Sequence, residues 1–226
     1  MDIYIVIVIV IGAYLLGSIP VAYLVCKAVT GEDIRCLGSG NVGVMNTAIS
    51  AARWAGLLVF MAEIAKGVLA VVIPRVLIKG NLTVFDADLP RIAALDLTDI
   101  AVGLSLIAVV IGTRWPIWLN FHGGRGNTAG ISGLILISWQ IGVLLVATWF
   151  LLRLLIRKSF LATRITLILL PVIVGVSTQS IWYALVGLAL GGIYLSTQQR
   201  KSDDHMLIKE DWPSFWAFIT SPPRRS

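Results

Sequence analysis

Twelve residues near the front of this 226-residue chain carry a guanidinium, a hydroxyl and two carboxamides among glycines: Arg35, Gly38, Ser39, Gly40, Asn41, Gly43 and Asn46. Arginine offers a charged two-pronged fork, and glycine lets main-chain N–H groups close on an oxyanion, so the set suits a phosphate. A second segment, residues 114–127, repeats the theme with His122, Gly123, Gly124, Arg125 and Gly126. There Arg125 can neutralise an anion and His122 can take up a proton near neutral pH. Read alone, the first segment also passes for a polar turn and the second for basic residues among lipid headgroups. Glu63 and Lys66 form a third set at i and i+3, on one helix face, where they can pair. An ionisable pair at membrane depth points into a helix bundle and serves either function or packing; Gly67 beside it favours close helix approach.

The elements that must position these residues are membrane helices. With 58% hydrophobic and 13% charged residues and a mean hydropathy of +0.90, the composition is that of a polytopic membrane protein. The expected fold class is therefore all-α. Apolar runs cover residues 3–25, 54–78, 97–119, 128–155, 160–176 and 180–195. The first lacks a basic leader and a small-residue cleavage site, so it is expected to stay as an anchor. Asp96 is placed to cap the third run, with Asp99 in its first turn. The fourth run would make a helix of roughly 42 Å against a hydrocarbon core of roughly 30 Å. It must either tilt or fold back, and Ser138-Trp139-Gln140 with Gly142 marks a turn.

The formal charge of +6 comes from basic residues scattered through short connections, which argues against nucleic acid as a partner. Seven spans with the N-terminus outside put Lys27, Arg35, Arg53, Arg114, Arg125 and the 153–164 cluster on the cytoplasmic side, leaving Arg75, Lys79 and Arg91 outside. Six spans satisfy the positive-inside rule less well. In the seven-span arrangement both glycine segments share the cytoplasmic face. Residues 1–200 then form one transmembrane domain and residues 201–226, with His205, a polar, partly disordered cytoplasmic tail. Cys26 and Cys36 are too few for a disulfide framework and read as thiols.

Four segments resemble motifs of the bacterial acyl-phosphate:glycerol-3-phosphate acyltransferases. Gly17-Ser18-Ile19-Pro20 is similar to that family's GSIP element, and residues 34–43 with Asn46 to IRxxGSGNxG…N. Residues 59–67 resemble VFxxDxxKG, and Pro116 with residues 121–129 resembles P…FKGGKGVAT. The resemblance implies seven membrane helices and no metal or nucleotide cofactor. It implies direct transfer of an acyl chain from acyl phosphate to the 1-hydroxyl of glycerol 3-phosphate, giving lysophosphatidate at the bacterial inner membrane. On that basis Ser39, His122 and Arg125 are the expected catalytic residues. Arg35, Gly38, Gly40, Asn41, Asn46, Lys66, Gly123, Gly124 and Gly126 are expected to bind the two phosphates, one per loop.

The chain departs from the motifs at several places: Ile49, with Arg53 one turn on, replaces an arginine, Thr113 a histidine, and His122 and Arg125 lysines; Glu63 replaces an aspartate. The sixth-helix motif is reduced to Lys158-Ser159-Phe160-Leu161 and the element after the last helix to residues 195–199. These losses motivate the alternative of a non-catalytic relative that binds an anionic lipid or phosphometabolite. A transporter would need further charges deep in the spans than Glu63 and Lys66.

Overall fold

The computed structural model describes residues 2–80 and 96–197. These form nine α-helices and two short 3-10 turns, with no strand among the described residues: α1 (Asp2–Ser18), α2 (Val21–Thr30), α3 (Val44–Ser50), α4 (Arg53–Lys79), α5 (Leu97–Arg114), α6 (Asn127–Ile137), α7 (Trp139–Ile156), α8 (Ser159–Thr178) and α9 (Ile181–Thr197). The segments Ile3–Thr30, Arg53–Lys79, Leu97–Leu119, Trp139–Ile156 and Ser159–Thr178 are long and apolar enough to cross a bilayer; α6 and α9 are apolar but shorter. The chain is thus an all-helical membrane protein, and the large exposed side chains of α1, α7 and α8 (Ile3, Val8, Val146, Leu155, Val172) suit a lipid surrounding. Arg91, His205 and the expected tail lie outside the described residues.

Two long apolar runs are each broken by one identifiable residue. Pro20 has no N–H for the Leu16 carbonyl and its ring crowds that position. The Ile19 N–H bonds Leu16 O at 3.3 Å and the Val21 N–H bonds Ile19 O at 3.0 Å, so α2 starts as a new helix. The fourth run breaks at Ser138, whose φ of −152° and ψ of 119° are extended rather than helical. In a continuous helix residues 135 and 142 would sit roughly 10 Å apart along the axis. Here a methyl group at Gly142 would touch the Ile135 side chain, so α7 folds back beside α6. The excess length is divided by this break between two separate helices.

Helix α5 is the hub, packed against α1, α4, α6 and α9. Its contact with α1 is backbone to backbone: a methyl at Gly17 would strike the Val109 carbonyl, and one at Gly112 the Tyr14 carbonyl. Small residues permit such approach where helices associate in lipid by packing alone. At one end of α5 the Asp96 carboxylate accepts the Thr98 N–H at 3.3 Å, as the capping signal predicts. Asp99 goes further, accepting Tyr183 Oη at 2.9 Å while its carbonyl accepts Trp182 Nε1 at 2.8 Å, which ties α9 to α5. The opposite end of α5 feeds the second glycine segment.

Candidate active site

The first glycine segment is folded around one buried carboxamide. Asn46, with no exposed surface, donates from Nδ2 to the carbonyls of Asn41 at 2.9 Å, Leu37 at 3.0 Å and Ile34 at 3.3 Å, while Oδ1 accepts the Ser39 N–H and Ser50 Oγ at 3.1 Å each. Gly38 and Gly40 sit at φ of 52° and 72°, which a side chain would strain. Asp33 caps the 3-10 turn Ile34–Cys36 and grips Arg35 by both carboxylate oxygens, at 3.0 Å from Nε and 2.6 Å from Nη2. The Arg35 side chain, hydrogen bonded in this way, holds the Asp33 carboxyl below the usual carboxylate range.

The second segment turns back on the end of α5. Pro116 ends the helix, Asn120 and Phe121 take left-handed φ of 51° and 62°, and the N–H groups of Gly123 and Gly124 bond the carbonyls of Arg114 and Thr113 at 3.1 Å each. Gly126, at φ 72°, then starts α6 without a side-chain cap. The two segments meet: a methyl on Gly124 would strike the Val42 carbonyl. Between them lies a cavity of about 190 Å³ lined by Asn41, Gly43, Val44, Met45, Glu63, Thr113, Arg125, Gly126, Asn127 and Thr128, among others. The first turns of α3 and α6 both wall it, and the opening N–H groups of a helix have no partner within that helix. Arg125 adds the one guanidinium of that wall.

Below it the buried pair forms. Lys66 Nζ donates to Glu63 Oε1 at 2.7 Å, to Ile19 O at 2.7 Å and to Gly17 O at 3.3 Å, so two of its three bonds engage the helix broken at Pro20. Thr113, at the histidine position of the motif, donates to Val109 O at 2.9 Å. A smaller void of about 10 Å³ lies here, lined by Gly17, Ile19, Lys66, Thr113, Gly123 and Gly124. Glu63 lines both spaces, and its Oε2, like Asn127 Oδ1, is buried with no hydrogen-bond partner among the described residues.

Placement of the expected site residues is therefore divided. Asn41, Arg125 and Gly126 share the cavity wall. Ser39 stands behind it, its Oγ accepting the Asn41 N–H at 3.4 Å. Gly123, Gly124 and Gly40 use their N–H groups to bond the carbonyls of Arg114, Thr113 and Leu37. Asn46 and Lys66 hold backbone together, and Arg35 is held by Asp33 away from either space. His122 is exposed, with Nδ1 2.6 Å from the Asn120 carbonyl, and lines neither space. Sequence reasoning missed Asn127 and Thr128; the signal was Gly126 followed directly by helical residues, the mark of an uncapped helix start.

The geometry agrees with comparison to known proteins. A glycerol-3-phosphate acyltransferase of Prochlorococcus marinus (strain NATL1A) is 32% identical over 164 residues, 73% of this chain and 74% of that protein. Glycerol-3-phosphate acyltransferase 1 of Dehalococcoides mccartyi is 35% identical over 182 residues, 78% of this chain and 79% of its own. The crystal structure of PlsY (YgiH), an integral membrane glycerol 3-phosphate acyltransferase, in its glycerol 3-phosphate form superposes with a TM-score of 0.68 over 90% of this chain and 92% of that one, at 24% identity. The family profile described as Glycerol-3-phosphate acyltransferase matches residues 7–203, from the first helix past the last, and with both loops and the paired helices under them in place, the chain belongs to that family.

Proposed function

We propose that this protein moves an acyl chain from acyl phosphate to the 1-hydroxyl of glycerol 3-phosphate, releasing lysophosphatidate and inorganic phosphate. The observation that carries this reading is the cavity between the two loops, where one guanidinium and two helix starts face a carboxylate. An acyl phosphate is already activated, so the protein's work is to bring two anions together and stabilise charge on the carbonyl oxygen. Arg125, Asn41 and the first turns of α3 and α6 hold phosphate oxygens. Ser39 and Asn46 fix Asn41, the Asp33–Arg35 pair fixes the turn that precedes the first loop, and Lys66 with Gly123 and Gly124 keeps the floor in register. His122 lies outside the cavity wall, with Nδ1 against the Asn120 carbonyl.

The topology we assign has seven spans, counting α1 with α2 as one and α6 and α7 as two, with the N-terminus outside and both loops and the tail cytoplasmic. Residues 1–200 form the catalytic membrane domain of a bacterial inner-membrane protein. Purified protein incubated with acyl phosphate and radiolabelled glycerol 3-phosphate should yield labelled lysophosphatidate; binding of glycerol 3-phosphate without product would instead favour the non-catalytic relative.

A further inference from the structure

Two buried oxygens in the cavity wall have no partner among the described residues: Glu63 Oε2 and Asn127 Oδ1. Unsatisfied buried acceptors are uncommon in folded proteins, and each calls for a donor. Both residues line the same space as Arg125, and they come from two packed helices, α4 and the start of α6. Glu63 is itself nine-tenths buried, its other oxygen held by Lys66 at 2.7 Å. The site thus offers one anion anchor and two separate acceptors.

Resting on the acyl-transfer reading above, we infer that the cavity is built for a diol phosphate, whose two hydroxyl groups donate to Asn127 Oδ1 and Glu63 Oε2 and set acceptor specificity. Asn127 follows the anchor Arg125-Gly126 directly, so it meets the hydroxyl nearer the phosphate, on the middle carbon. Glu63, which also lines the smaller void next to the cavity, meets the terminal hydroxyl that attacks the acyl carbonyl. An ionised acceptor on that hydroxyl orients its lone pair and raises its electron density. A ketone at the middle carbon would face Asn127 Oδ1 oxygen to oxygen, and is excluded. Asn127 stands at the valine position of the FKGGKGVAT motif that this segment resembles, so the contact belongs to this chain.

The test is calorimetric titration of the purified full-length protein in detergent with three ligands: glycerol 3-phosphate, 3-hydroxypropyl phosphate, which lacks the middle hydroxyl, and 2-hydroxypropyl phosphate, which lacks the terminal one. A site built to bond a hydroxyl rejects the analogue without it, and one buried hydrogen bond gives a gap of roughly 10- to 100-fold. Wild type should show that gap against both analogues. Asn127→Val should bring glycerol 3-phosphate and 3-hydroxypropyl phosphate within about threefold, while Glu63→Met combined with Lys66→Met, which removes the acceptor without leaving an unpaired ammonium, should do so for the 2-hydroxypropyl pair. Asn127→Asp keeps acceptor oxygens, so it should weaken both phosphates by repulsion and preserve their ratio. Equal wild-type affinities, a gap that survives Asn127→Val, or a gap lost in Asn127→Asp would each overturn the inference. If the gap is present but no lysophosphatidate forms, acyl transfer fails and the diol site stands. Acyl transfer to both terminal-hydroxyl phosphates with equal efficiency would do the opposite, leaving the transferase intact and removing the diol site.

Discussion

Replacing Lys66 by methionine separates a structural clamp from a substrate ligand. The ammonium is 5% exposed, and its three partners lie at 2.7, 2.7 and 3.3 Å. Methionine keeps the length and removes the charge. It leaves Glu63 without its buried partner and takes one donor from each of the carbonyls of Ile19 and Gly17, which keep the Val21 N–H at 3.0 Å and Thr113 Oγ1 at 3.4 Å respectively. Breaking one side of a buried ion pair costs about 3–5 kcal/mol, and the two lost carbonyl contacts are part of that loss rather than an addition to it. For a domain of this size each kcal/mol moves the melting temperature by about 2–4 °C, so Lys66→Met should melt roughly 6–20 °C below wild type. Intrinsic tryptophan fluorescence in detergent at one fixed heating rate reads this directly. The double variant Glu63→Gln, Lys66→Met removes both charges and should recover at least half of the loss. A single variant that melts within about 2 °C of wild type yet no longer gains stability from glycerol 3-phosphate would refute the clamp and return Lys66 to the ligand set.

Three further outcomes follow from the same geometry. The Asp33 carboxyl is held down by Arg35, so its contribution to loop order is present above the ordinary carboxylate value near 4 and is lost as pH falls through the lowered one. Amide exchange, corrected for its intrinsic pH dependence, should show protection in residues 33–41 that is flat from pH 7 to about 4 and falls below, whereas Asp33→Asn should lack it at every pH. Gly67 packs against the Ala129 carbonyl and Ser132 Oγ, so Gly67→Ala pushes α6 from α4 and opens the cavity wall; glycerol 3-phosphate affinity should fall more than tenfold, and an unchanged affinity would show that the wall gives way without cost. For topology, Trp139→Cys in a Cys36→Ser background should react with an impermeant maleimide from outside intact cells, because Trp139 is 61% exposed at the fold-back between α6 and α7. Labelling only after permeabilisation would remove the seven-span assignment.

The helices were legible because bilayer length and hydropathy leave few alternatives, and even the break at Ser138 followed from a run too long for the hydrocarbon. The break at Pro20 was not read, although the proline was plain, because proline is tolerated in membrane helices when a neighbour satisfies the freed carbonyls. That neighbour, Lys66, lies 47 residues away from Ile19, and no local pattern announces it. The two glycine segments were legible in the sequence, and their internal bonding was not, for a related reason. Glycine segments suggest amides open to an anion, yet a loop at membrane depth must also satisfy its own backbone. Gly40, Gly123 and Gly124 do so by bonding inside their loops, and Asn46 binds three carbonyls at once. The opening N–H groups of α3 and α6 have no partner within their own helices, and under the function proposed above they are the donors that meet a ligand. The glycines place two helix starts face to face, with Gly43 before one and Gly126 before the other. On this account substitutions at Gly124, which lies against Val42, should harm phosphate binding by parting the loops and not by removing a hydrogen bond to the ligand.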